Sequence, residues 1–431
     1  MKEVNIGIIG LGTIGSGLYR LIQKNGELIK NKSGISIRVK KAADIHADKK
    51  RELGIPDNIF TTSADEVISD PSIDIIVELI GGTTVARDVV LKAIEAGKHL
   101  VTANKALLAE YKSEIFPLLV KNRAEMGCEA SVGGGIPIIK TLKEALVGNE
   151  IYKIVGILNG TTNFILTKMV KEGVGFADAL KIAQELGFAE ADPTLDISGG
   201  DAKHKITILA SLAFNTDVNM NMVFTEGIED VDIRDIKYAM ELGFVLKLLA
   251  IAEKSNNGII VRVHPALVSS TNPMAAVSWE DNAIMVYSDF LGKSMYYGKG
   301  AGAKPTSSAV VADIVEIALK IKSNYEYNPK SYSFFNSLKQ LNFEESENRY
   351  YFRFNALDRP GILSKISGIL GKHSISIASV IQKETDEQDE YVPLIMLTHK
   401  ALEANVKKAF QEIVSLKEVK DNNRLIRVID E

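Results

Sequence analysis

Cysteine and tryptophan are nearly absent, with one of each among 431 residues, and neither sign of charge dominates. A single cysteine, Cys128, excludes an internal disulfide and any zinc site built from several cysteines. The 51 basic and 55 acidic side chains give a net charge of −4, which excludes a global electrostatic attraction to nucleic acid or to an anionic membrane. We therefore expect neither nucleic acid nor a membrane among its partners.

Long hydrophobic runs are missing as well. The longest apolar runs, such as 206–214, are far shorter than the roughly 20 residues that a membrane-spanning helix needs. The first residues have the pattern of a strand and not that of a secretory signal sequence. With 46% apolar and 25% charged residues, the composition is typical of a globular enzyme, and its length predicts two or three domains. We expect a cytoplasmic protein.

Strand patterns and helical patterns alternate in the first part of the chain. The strands are expected at 4–9, 35–43, 73–79 and 99–102, and the helices at 16–24, 86–96 and 106–122. This alternation predicts an α/β domain, a doubly wound parallel sheet with helices on both faces. We interpret 25–34 as an insertion before the second strand.

The later regions have other patterns. The middle region mixes helical patterns at 176–186, 203–214 and 233–253 with strands at 259–264 and 283–288, which is typical of an α+β domain. A helical pattern at 310–321 precedes a polar, aromatic stretch that is interpreted as a linker. From residue 349 onward the order of elements is βαββαβ, which predicts a ferredoxin-like domain.

The strongest local motif is Gly10-Leu11-Gly12-Thr13-Ile14-Gly15, between the first strand and the first helix. Gly10 permits a tight turn, Gly12 lets the backbone approach a pyrophosphate, and Gly15 allows the helix to pack closely on the strand. The helix N-terminus then offers N–H groups to the phosphates. The motif predicts a dinucleotide site, and the alternative is a glycine turn that binds nothing.

Two groups in the sequence could contact the ribose of the cofactor. Asp44 follows the second strand, 29 residues beyond Gly15, and could accept the ribose 2′-hydroxyl of NAD. The basic run 49–51 could instead meet the 2′-phosphate of NADP, or could simply be a solvated helix face. The choice between NAD and NADP stays open at this level.

Two further stretches carry chemical side chains. Thr102-Ala103-Asn104-Lys105 ends a parallel strand, where open α/β sheets bind their ligands. Asp201 and Lys205 are four residues apart in a helical pattern, so they share one face of the helix. They could form part of a catalytic site or an ordinary surface ion pair.

Taken in order, these motifs resemble the homoserine dehydrogenase family over about residues 1–320. The resemblance also includes the segments 130–137, 158–163 and 186–205. It implies an oxidoreductase that reversibly reduces L-aspartate 4-semialdehyde to L-homoserine with NADPH or NADH. The reaction lies on the branch of biosynthesis that leads to threonine, methionine and isoleucine.

The resemblance also implies roles for individual residues. Lys205 is the first choice for the catalytic acid or base, and Lys105 is the second candidate. Glu190 and Asp201 would bind the ammonium and hydroxyl groups of the substrate through charge-assisted hydrogen bonds. The expected cofactor-binding residues are Gly10, Gly12, Thr13, Ile14, Gly15, Lys105, Gly187 and Gly302.

A glycine-rich segment near residue 132 resembles the monovalent-cation loop of the family. Backbone oxygens do most of the coordination in that loop, and oxygen ligands suit a hard cation such as Na⁺ or K⁺. The expected ligands are Glu129, Val132, Gly134 and Ile136. The alternative is a glycine turn without an ion.

The C-terminal region resembles an ACT domain, a regulatory domain that binds amino acids. Its strand-to-helix turn is Asp358-Arg359-Pro360-Gly361, whose helix N-terminus could receive an amino-acid carboxylate. The resemblance implies threonine as the expected inhibitor, with Asp358, Gly361, Ile362 and Leu363 as regulatory residues. Many ligand-binding ACT domains have asparagine where this chain has Ser374, so a purely dimerising ACT domain stays an alternative.

The expected domain boundaries follow from these segments. They are 1–128 for the NAD(P)-binding domain, completed by 305–321; 129–304 for the catalytic and dimerisation domain; 322–348 for the linker; and 349–431 for the ACT domain. We expect a homodimer or a homotetramer.

Two other functions are alternatives to homoserine dehydrogenase. An aspartate-semialdehyde dehydrogenase would need Cys128 as its nucleophile, and this cysteine lies in the segment that resembles the cation loop. A non-catalytic amino-acid sensor on a dinucleotide fold would have no use for Lys105, Glu190, Asp201 and Lys205 together. Homoserine dehydrogenase is therefore the preferred prediction.

Overall fold

The computed structural model describes residues 2–323, 327–328, 334, 336–382 and 390–429. The strands are β1 Lys2–Ile9, β2 Ile35–Ala43, β3 Phe60–Thr61, β4 Ile75–Glu78, β5 His99–Thr102, β6 Met126–Gly127, β7 Ile151–Ile157, β8 Phe224–Thr225, β9 Phe244–Ser255, β10 Gly258–Ser269, β11 Asp281–Ser288, β12 Gly292–Lys299, β13 Glu347–Leu357, β14 Ile377–Gln382, β15 Tyr391–Thr398, β16 Ala401–Leu402 and β17 Val419–Ile429.

The helices are α1 Thr13–Ser33, α2 Asp48–Leu53, α3 Ala64–Ile68, α4 Thr84–Glu95, α5 Lys105–Asn122, α6 Ile138–Lys140, α7 Gly160–Glu172, α8 Phe176–Glu185, α9 Thr194–Ile197, α10 Gly200–Ala213, α11 Ile233–Glu241, α12 Ala303–Lys322, α13 Ile362–Lys372 and α14 Glu403–Val414. Among the helices of the described residues, none is both long enough and apolar enough to cross a membrane.

The backbone divides into two compact units, and each is assembled from segments that are distant in sequence. The first unit comprises Met1–Leu158, His204–Met220 and Asp281–Leu338, and the second comprises Asn159–Lys203, Asn221–Glu280 and Lys339–Glu431.

The first unit contains a parallel six-stranded sheet in the order β3-β2-β1-β4-β5-β6. This is the strand order of a doubly wound dinucleotide-binding fold, so the predicted fold class is confirmed. The strand order reverses between β1 and β4, and ligands of such sheets bind outside the carboxyl ends of the strands at that point. Ile9 pairs with Glu78 there, which places the end of β1 beside the end of β4.

Both faces of this sheet are covered by apolar side chains. On one face, Ile6 and Ile8 of β1 belong to a buried cluster that includes residues of α1 and α12, among them Leu18, Val310 and Ile314. On the other face, residues of α3 and α4 complete a second cluster. Burial on both faces explains why the second half of β1 and most of β4 are apolar in the sequence.

The helix expected at 16–24 is longer in the structure, and the segment interpreted as an insertion is mostly helical. Residues 25–33 continue α1, which is 21 residues long and is followed by its C-cap Gly34 in the left-handed conformation (φ 73°). Gly26 does not end the helix, and a side chain there would meet nothing within 4 Å. The glycine lies on an open helix surface, where it lowers helix propensity without creating a turn.

The first unit also contains an antiparallel sheet in the order β12-β11-β7. The second unit is built around a longer sheet in the order β9-β10-β17-β13-β15-β14. Its last four strands, with α13 and α14 packed on one face, form the ACT fold. The βαββαβ order expected from the sequence is therefore confirmed.

The helix expected at 233–253 is wrong in its second half. Helix α11 ends at Glu241, Gly243 adopts φ 81°, and the apolar run that follows is strand β9. Residues 246–252 are all buried, so a continuous apolar run here marks a strand covered on both faces.

The expected linker at 322–348 lies partly outside the described residues. Within the described part, Asn336 pairs with Thr216, and the backbone N–H of Ile259 donates to the Lys339 carbonyl at 2.8 Å. A short 3₁₀ turn at Phe343–Glu345 then leads into β13.

Candidate active site

The glycine-rich turn between β1 and α1 fits its predicted purpose. A Cβ on Gly10, which has φ 98°, would lie 2.6 Å from the Leu79 carbonyl oxygen, and a Cβ on Gly15 would lie 1.9 Å from the Gly10 carbonyl oxygen. Glycine is therefore required at both positions. Gly12 differs from them, because a Cβ there would meet nothing within 4 Å. The space beside Gly12 is open to a ligand.

Helix α1 presents its N-terminus to this open space. Gly12 is its N-cap, Thr13, Ile14 and Gly15 form its first turn, and that turn contains no acidic side chain. A cavity of about 390 Å³ lies here, lined by Ile9, Gly10, Gly12, Ala43, Asp44, Ile45, His46, Thr62, Ala64, Leu79, Ile80 and Val85. N–H groups at a helix end beside a cavity suit the phosphates of a dinucleotide.

Asp44 lines this cavity and also fixes the turn. Its carboxylate accepts hydrogen bonds from the backbone N–H of Leu11 at 2.6 Å and from that of His46 at 2.9 Å. Lys49 and Lys50 form ion pairs with carboxylates outside the cavity. Of the described residues that line the cavity, none belongs to the basic run 49–51.

The carboxyl ends of β4 and β5 lie next to this turn. The Thr102 hydroxyl donates to the Glu78 carboxylate at 2.6 Å, and burial raises the pKa of Glu78. Asn104 caps α5 by accepting a hydrogen bond from the Leu107 N–H, so Lys105 is the first residue of that helix. The sequence analysis missed Glu78, an acidic residue within an otherwise apolar strand.

Helix α12 packs against the start of α1. The Ser307 hydroxyl donates to the Ile14 carbonyl at 3.2 Å, and a Cβ on Gly17 would lie 2.7 Å from the Ser307 oxygen. Gly302 is the N-cap of α12 and adopts φ 115°. The structure thus brings the start of α12, with Gly302, to the glycine-rich turn.

The predicted cation loop is a tight turn in the first unit. The Glu129 carboxylate accepts hydrogen bonds from the backbone N–H groups of Ile139 and Lys140 at 2.9 and 2.7 Å, and burial raises its pKa. Gly134 approaches the backbone of Gly300 so closely that a Cβ would lie 2.6 Å from it. The Glu129 carboxylate therefore supports the start of α6, and ion binding stays a prediction.

No cluster of three or more histidine, cysteine, aspartate or glutamate side chains suited to a metal ion occurs in the part of the chain that the structure describes. The Val132–Ile136 turn is closed by a hydrogen bond from the Ile136 N–H to the Gly133 carbonyl at 2.9 Å. An ion in this turn would have to be held mainly by backbone oxygens, in keeping with the predicted donor set.

Lys205 is a buried cation in the middle of helix α10. Its side chain is 7% exposed, and its ammonium donates to the Leu158 carbonyl at 2.7 Å. An ordinary surface ion pair would leave this lysine exposed to solvent, so that interpretation of the Asp201 and Lys205 spacing is wrong. Both residues lie on α10, and Asp201 is 3% exposed.

Asn159 holds Asp201 and was missed by the sequence analysis. Its side-chain amide donates to the Asp196 carboxylate at 2.7 Å and to the Asp201 carboxylate at 2.8 Å. Its amide oxygen accepts from the Thr162 N–H and thereby caps α7. An asparagine directly before a helical segment is a recognisable N-cap signal, but the two contacts with aspartates are not visible in sequence.

The loop that carries Glu190 is attached to α7 and α8. The Thr161 hydroxyl donates to the Phe188 carbonyl at 2.7 Å, and the Gln184 amide donates to the Glu190 carbonyl at 3.2 Å. Gly187 turns the chain with φ 76°. Glu190 is exposed, and its role in substrate binding stays a prediction.

The surroundings of Cys128 do not favour a reactive thiolate. Burial raises the pKa of its thiol to about 12, whereas a catalytic cysteine needs a pKa depressed toward neutrality. The alternative that required a thioester on this residue loses its chemical basis.

A second cavity, of about 420 Å³, lies at the strand-to-helix turn of the ACT fold. Asp358, Gly361, Ile362 and Leu363 all line it, together with Gln382. The Gln382 amide donates to the Asp358 carboxylate at 2.9 Å, and Gly361 adopts φ 93° as the N-cap of α13. Ser374, which departs from the usual asparagine, adopts the left-handed conformation with φ 59°.

Comparison with known proteins explains this combination of sites. Models of the homoserine dehydrogenase family match residues 137–315, those of its NAD-binding domain match 10–129, and the ACT domain model matches 350–416. The homoserine dehydrogenase of Neisseria gonorrhoeae is 45% identical over 99% of both chains, and that of Pseudomonas aeruginosa is 42% identical over 99% of both chains.

Solved structures agree with the sequence relatives. A homoserine dehydrogenase from Thiobacillus denitrificans superposes with a TM-score of 0.94 at 43% identity, covering 100% of this chain and 99% of its own. A hyperthermophilic archaeal homoserine dehydrogenase in complex with NADPH superposes with a TM-score of 0.62 at 30% identity, covering 74% of this chain and 98% of its own. The glycine-rich turn, the buried lysine of α10 and the ACT fold thus occur together because this chain belongs to the homoserine dehydrogenase family.

Proposed function

We propose that the chain catalyses the reversible reduction of L-aspartate 4-semialdehyde to L-homoserine with NADH or NADPH, in the biosynthesis of threonine, methionine and isoleucine. The observation that carries this proposal is the buried ammonium of Lys205 on the same helix as the buried carboxylate of Asp201. Burying a cation and an anion costs free energy, and such groups concentrate at functional sites.

The nicotinamide cofactor supplies the hydride when it is bound. The open space at Gly12 and the free approach to the α1 N-terminus fit a pyrophosphate. Gly10, Gly12 and Gly15 would allow the backbone to approach it, and the N–H groups of Thr13 and Ile14 would bind it. Lys105, Gly187 and Gly302 are the further residues proposed to contact the cofactor.

Lys205 is the proposed acid. In the reduction, its ammonium gives a proton to the carbonyl oxygen of the semialdehyde as that oxygen becomes a hydroxyl, and in the oxidation the neutral amine takes the proton back. The hydrogen bond to the Leu158 carbonyl fixes the direction of the ammonium. Lys105, the first residue of α5 at the carboxyl edge of the parallel sheet, is the second candidate for this step.

Two carboxylates are proposed to bind the substrate. Glu190 and Asp201 would hold its ammonium and hydroxyl groups by charge-assisted hydrogen bonds. Asn159 supports this assignment, because it keeps the buried Asp201 carboxylate hydrogen-bonded at 2.8 Å. Glu190 is exposed and open to solvent-borne substrate.

NADH is the proposed preferred cofactor. Asp44 lines the cavity beside the glycine-rich turn, and its negative charge would attract a ribose hydroxyl and repel a 2′-phosphate. Lys49 and Lys50, which could have neutralised that phosphate, are paired with Glu52 and Asp57.

A monovalent cation, Na⁺ or K⁺, is proposed to bind at the Glu129–Ile136 turn. The ligands would be backbone oxygens at Glu129, Val132, Gly134 and Ile136, which suit a hard cation of low charge. The close approach of Gly134 to Gly300 supports a role in ordering the start of α12. The ion would be structural.

The ACT cavity is proposed to bind threonine as a feedback inhibitor. The α13 N-terminus would receive the carboxylate, and Asp358 would receive the ammonium. Inhibition requires that threonine binds one conformational state of the enzyme more tightly than another. A dimerising role without ligand is the alternative, and Ser374 is the residue that favours it.

Assembly as a homodimer or homotetramer is proposed for the working enzyme in the cytoplasm. The tip of the β11–β12 hairpin carries Phe290 and Leu291, which are 87% and 55% exposed, and such apolar exposure is typical of an interface. The boundaries proposed for the domains are 1–128 with 305–321, then 129–304, and then 349–431 after the linker.

The test is turnover of L-aspartate 4-semialdehyde with NADH and with NADPH. The disappearance of the reduced nicotinamide measures the rate. The Lys205→Met variant is expected to lose about a thousandfold in kcat, the upper part of the range for general acid catalysis. Lys203→Met, two residues earlier on the same helix, is the matched control and is expected to retain most activity. A wild-type protein that turns over neither cofactor would contradict the proposed function.

A further inference from the structure

A buried lysine outside the proposed catalytic set forms a closed polar cluster in the second unit. Lys247 on β9 is 3% exposed. Its ammonium donates to the Asn163 amide oxygen at 3.2 Å and to the Val277 carbonyl, and the Asn163 amide donates to the same carbonyl at 3.4 Å. Three elements, β9, α7 and the segment after β10, are tied together at this point.

The placement of this lysine is costly. Burial, assisted by the positive charge of Lys171 on α7, lowers the pKa of Lys247 to about 8. Its hydrogen-bond acceptors are neutral amide and carbonyl oxygens, which offset the loss of hydration less well than a carboxylate would. An apolar residue of similar length would fill the volume without that cost, so the hydrogen bonds themselves are the reason for a lysine here.

The cluster holds a strained segment against α7. Trp279 lies two residues after Val277 and adopts φ 61°, a conformation that a large side chain rarely takes. Its backbone N–H donates to the Thr167 hydroxyl at 3.0 Å, and its ring lies 5.7 Å from that of Phe164. Both partners belong to α7.

Helix α7 and its N-cap also contact the segments that carry the proposed substrate-binding residues. Phe164 stacks on Phe188 with ring centroids 4.5 Å apart, and the Thr161 hydroxyl holds the Phe188 carbonyl. Phe188 lies two residues before Glu190. The N-cap of the same helix, Asn159, holds Asp201.

We propose that Lys247 is a positioning residue for substrate binding: it ties Asn163 of α7 to the Val277 carbonyl, and α7 in turn orients the Phe188–Glu190 loop and Asp201. This rests on the proposed function, which assigns Glu190 and Asp201 to the substrate. Lys247 contacts neither of them in this scheme and acts through the helix.

The first experiment compares Lys247→Met with Lys98→Met. Lys98 is a matched control, because it is also buried and its ammonium donates to two backbone carbonyls, those of Asp70 and Ile73 at 2.7 and 2.8 Å, in the segment before β4 of the first unit. Lys247→Met is expected to raise the KM for homoserine about tenfold, as for loss of buried hydrogen bonds, and to leave the KM for the oxidised cofactor within about twofold. Lys98→Met is expected to leave the KM for homoserine unchanged.

The single tryptophan gives a readout independent of catalysis. Trp279 is the only tryptophan in the sequence, so emission excited at wavelengths where the 13 tyrosines do not absorb reports on the surroundings of Trp279. Lys247→Met is expected to shift the emission to longer wavelength as the segment loosens and gains water, whereas Lys98→Met is expected to leave it unchanged. Unchanged emission in Lys247→Met would overturn the claim that Lys247 holds this segment.

Asn163→Leu covers the case in which Lys247→Met does not accumulate as folded protein, because it removes the α7 partner of Lys247 and is expected to raise the KM for homoserine as well. Thr161→Val tests the next contact, between α7 and the loop that carries Glu190. Thr161→Val removes the hydroxyl that holds Phe188 while keeping its shape, and is expected to raise the KM for homoserine about threefold. In the Lys247→Met/Thr161→Val double variant, the two increases in the KM for homoserine should be less than additive in free energy, because both substitutions act through α7. A general loss of stability would not couple them.

The outcomes separate the two proposals. A wild-type enzyme that does not oxidise homoserine contradicts the proposed function before any variant is compared. A wild-type enzyme that does so, together with a folded Lys247→Met or Asn163→Leu variant of unchanged homoserine KM, overturns the positioning role of Lys247 alone.

Discussion

Two turns in this chain connect a strand to a helix through glycine and open into a cavity, yet they use glycine differently. At the nucleotide turn Gly12 has an ordinary φ of −64°, and the space beside it is open. At the ACT turn Gly361 has φ 93°, which other residues rarely adopt. The space beside Gly361 is open as well, so the difference between the two glycines lies in the backbone. The backbone requires glycine at Gly361, whereas at Gly12 only the space for a ligand favours it.

The acidic residues of the two cavities differ in the same way. Asp44 accepts hydrogen bonds from backbone N–H groups, one of which belongs to the glycine-rich turn itself. Asp358, which follows β13, accepts from the side chain of Gln382 at the end of β14, two strands away in the sheet. The backbone thus sets the nucleotide site in place, whereas the ACT site depends on an exchangeable side-chain contact.

The largest effect is expected from filling the space at Gly12. Gly12→Val should raise the KM for the cofactor about a hundredfold, which corresponds to a loss of about 2.7 kcal/mol of binding, because the new side chain occupies the place of the pyrophosphate. The melting temperature should stay close to that of the wild type, since no neighbour lies within 4 Å of the new Cβ.

Gly26→Val is the control for this change. It replaces another glycine of α1 with nothing within 4 Å of its Cβ, and the cofactor KM should not change. A Gly12→Val protein that binds its cofactor normally would remove the distinction between the two turns.

The next effect concerns the charge of Asp44. Asp44→Asn keeps an acceptor for the Leu11 N–H and removes the negative charge, so the ratio of kcat/KM for NADPH to that for NADH should rise about tenfold. Kinetics with both cofactors measures this ratio. Lys50→Met, which removes a cation outside the cavity, should leave it unchanged, and a fall in the ratio in Lys50→Met would indicate that the basic run reads the ribose after all.

A smaller effect is expected at the ACT cavity. Gln382→Ala removes the hydrogen bond that holds the Asp358 carboxylate. The concentration of threonine needed for half inhibition should therefore rise about fivefold, as for the loss of one hydrogen bond to a charged group. Activity without threonine should be preserved, and inhibition curves at fixed substrate measure both quantities. Equal threonine sensitivity of the variant and the wild type would contradict a side-chain-controlled site.

The smallest effect is a pH dependence of stability at Lys247. The pKa of this group falls from its ordinary 10.5 to about 8 on folding, so between those values the unfolded chain binds more protons than the folded chain. The free energy of unfolding should therefore rise with pH in this window, by about 1 kcal/mol between about pH 8 and pH 9. Denaturant unfolding of the wild type and of Lys247→Met measures it, and only the wild type should show this part of the slope.

Sequence reasoning succeeded where the information is local. The glycine-rich turn lies within six consecutive residues, and the shared helix face of Asp201 and Lys205 follows from their spacing alone. The βαββαβ order of the ACT fold is equally local, since each element shows its own period.

The parts that could not be predicted depend on distant contacts. Asn159 and Asp201 are 42 positions apart, and Lys247 and Asn163 are 84 apart, so only the packed structure brings them together. The sequence pattern predicts a helix where β9 lies, because a run of residues that is buried on both faces shows neither the hydrophobic period of a strand nor that of a helix. The sequence predicts a shorter α1 because glycine commonly ends a helix, whereas Gly26 lies within the helix on an open surface.

Strand β17 pairs on both of its edges, with β13 on one side and with β10 on the other. Val428 lies opposite Arg349 in the first pairing and opposite Leu267 in the second. The ladder of the ACT fold therefore continues without interruption into the β9–β10 hairpin. Amide protons on both sides of β17 should exchange with solvent through one shared opening event, so within this unit the ACT fold and the hairpin would unfold cooperatively and not as separable modules.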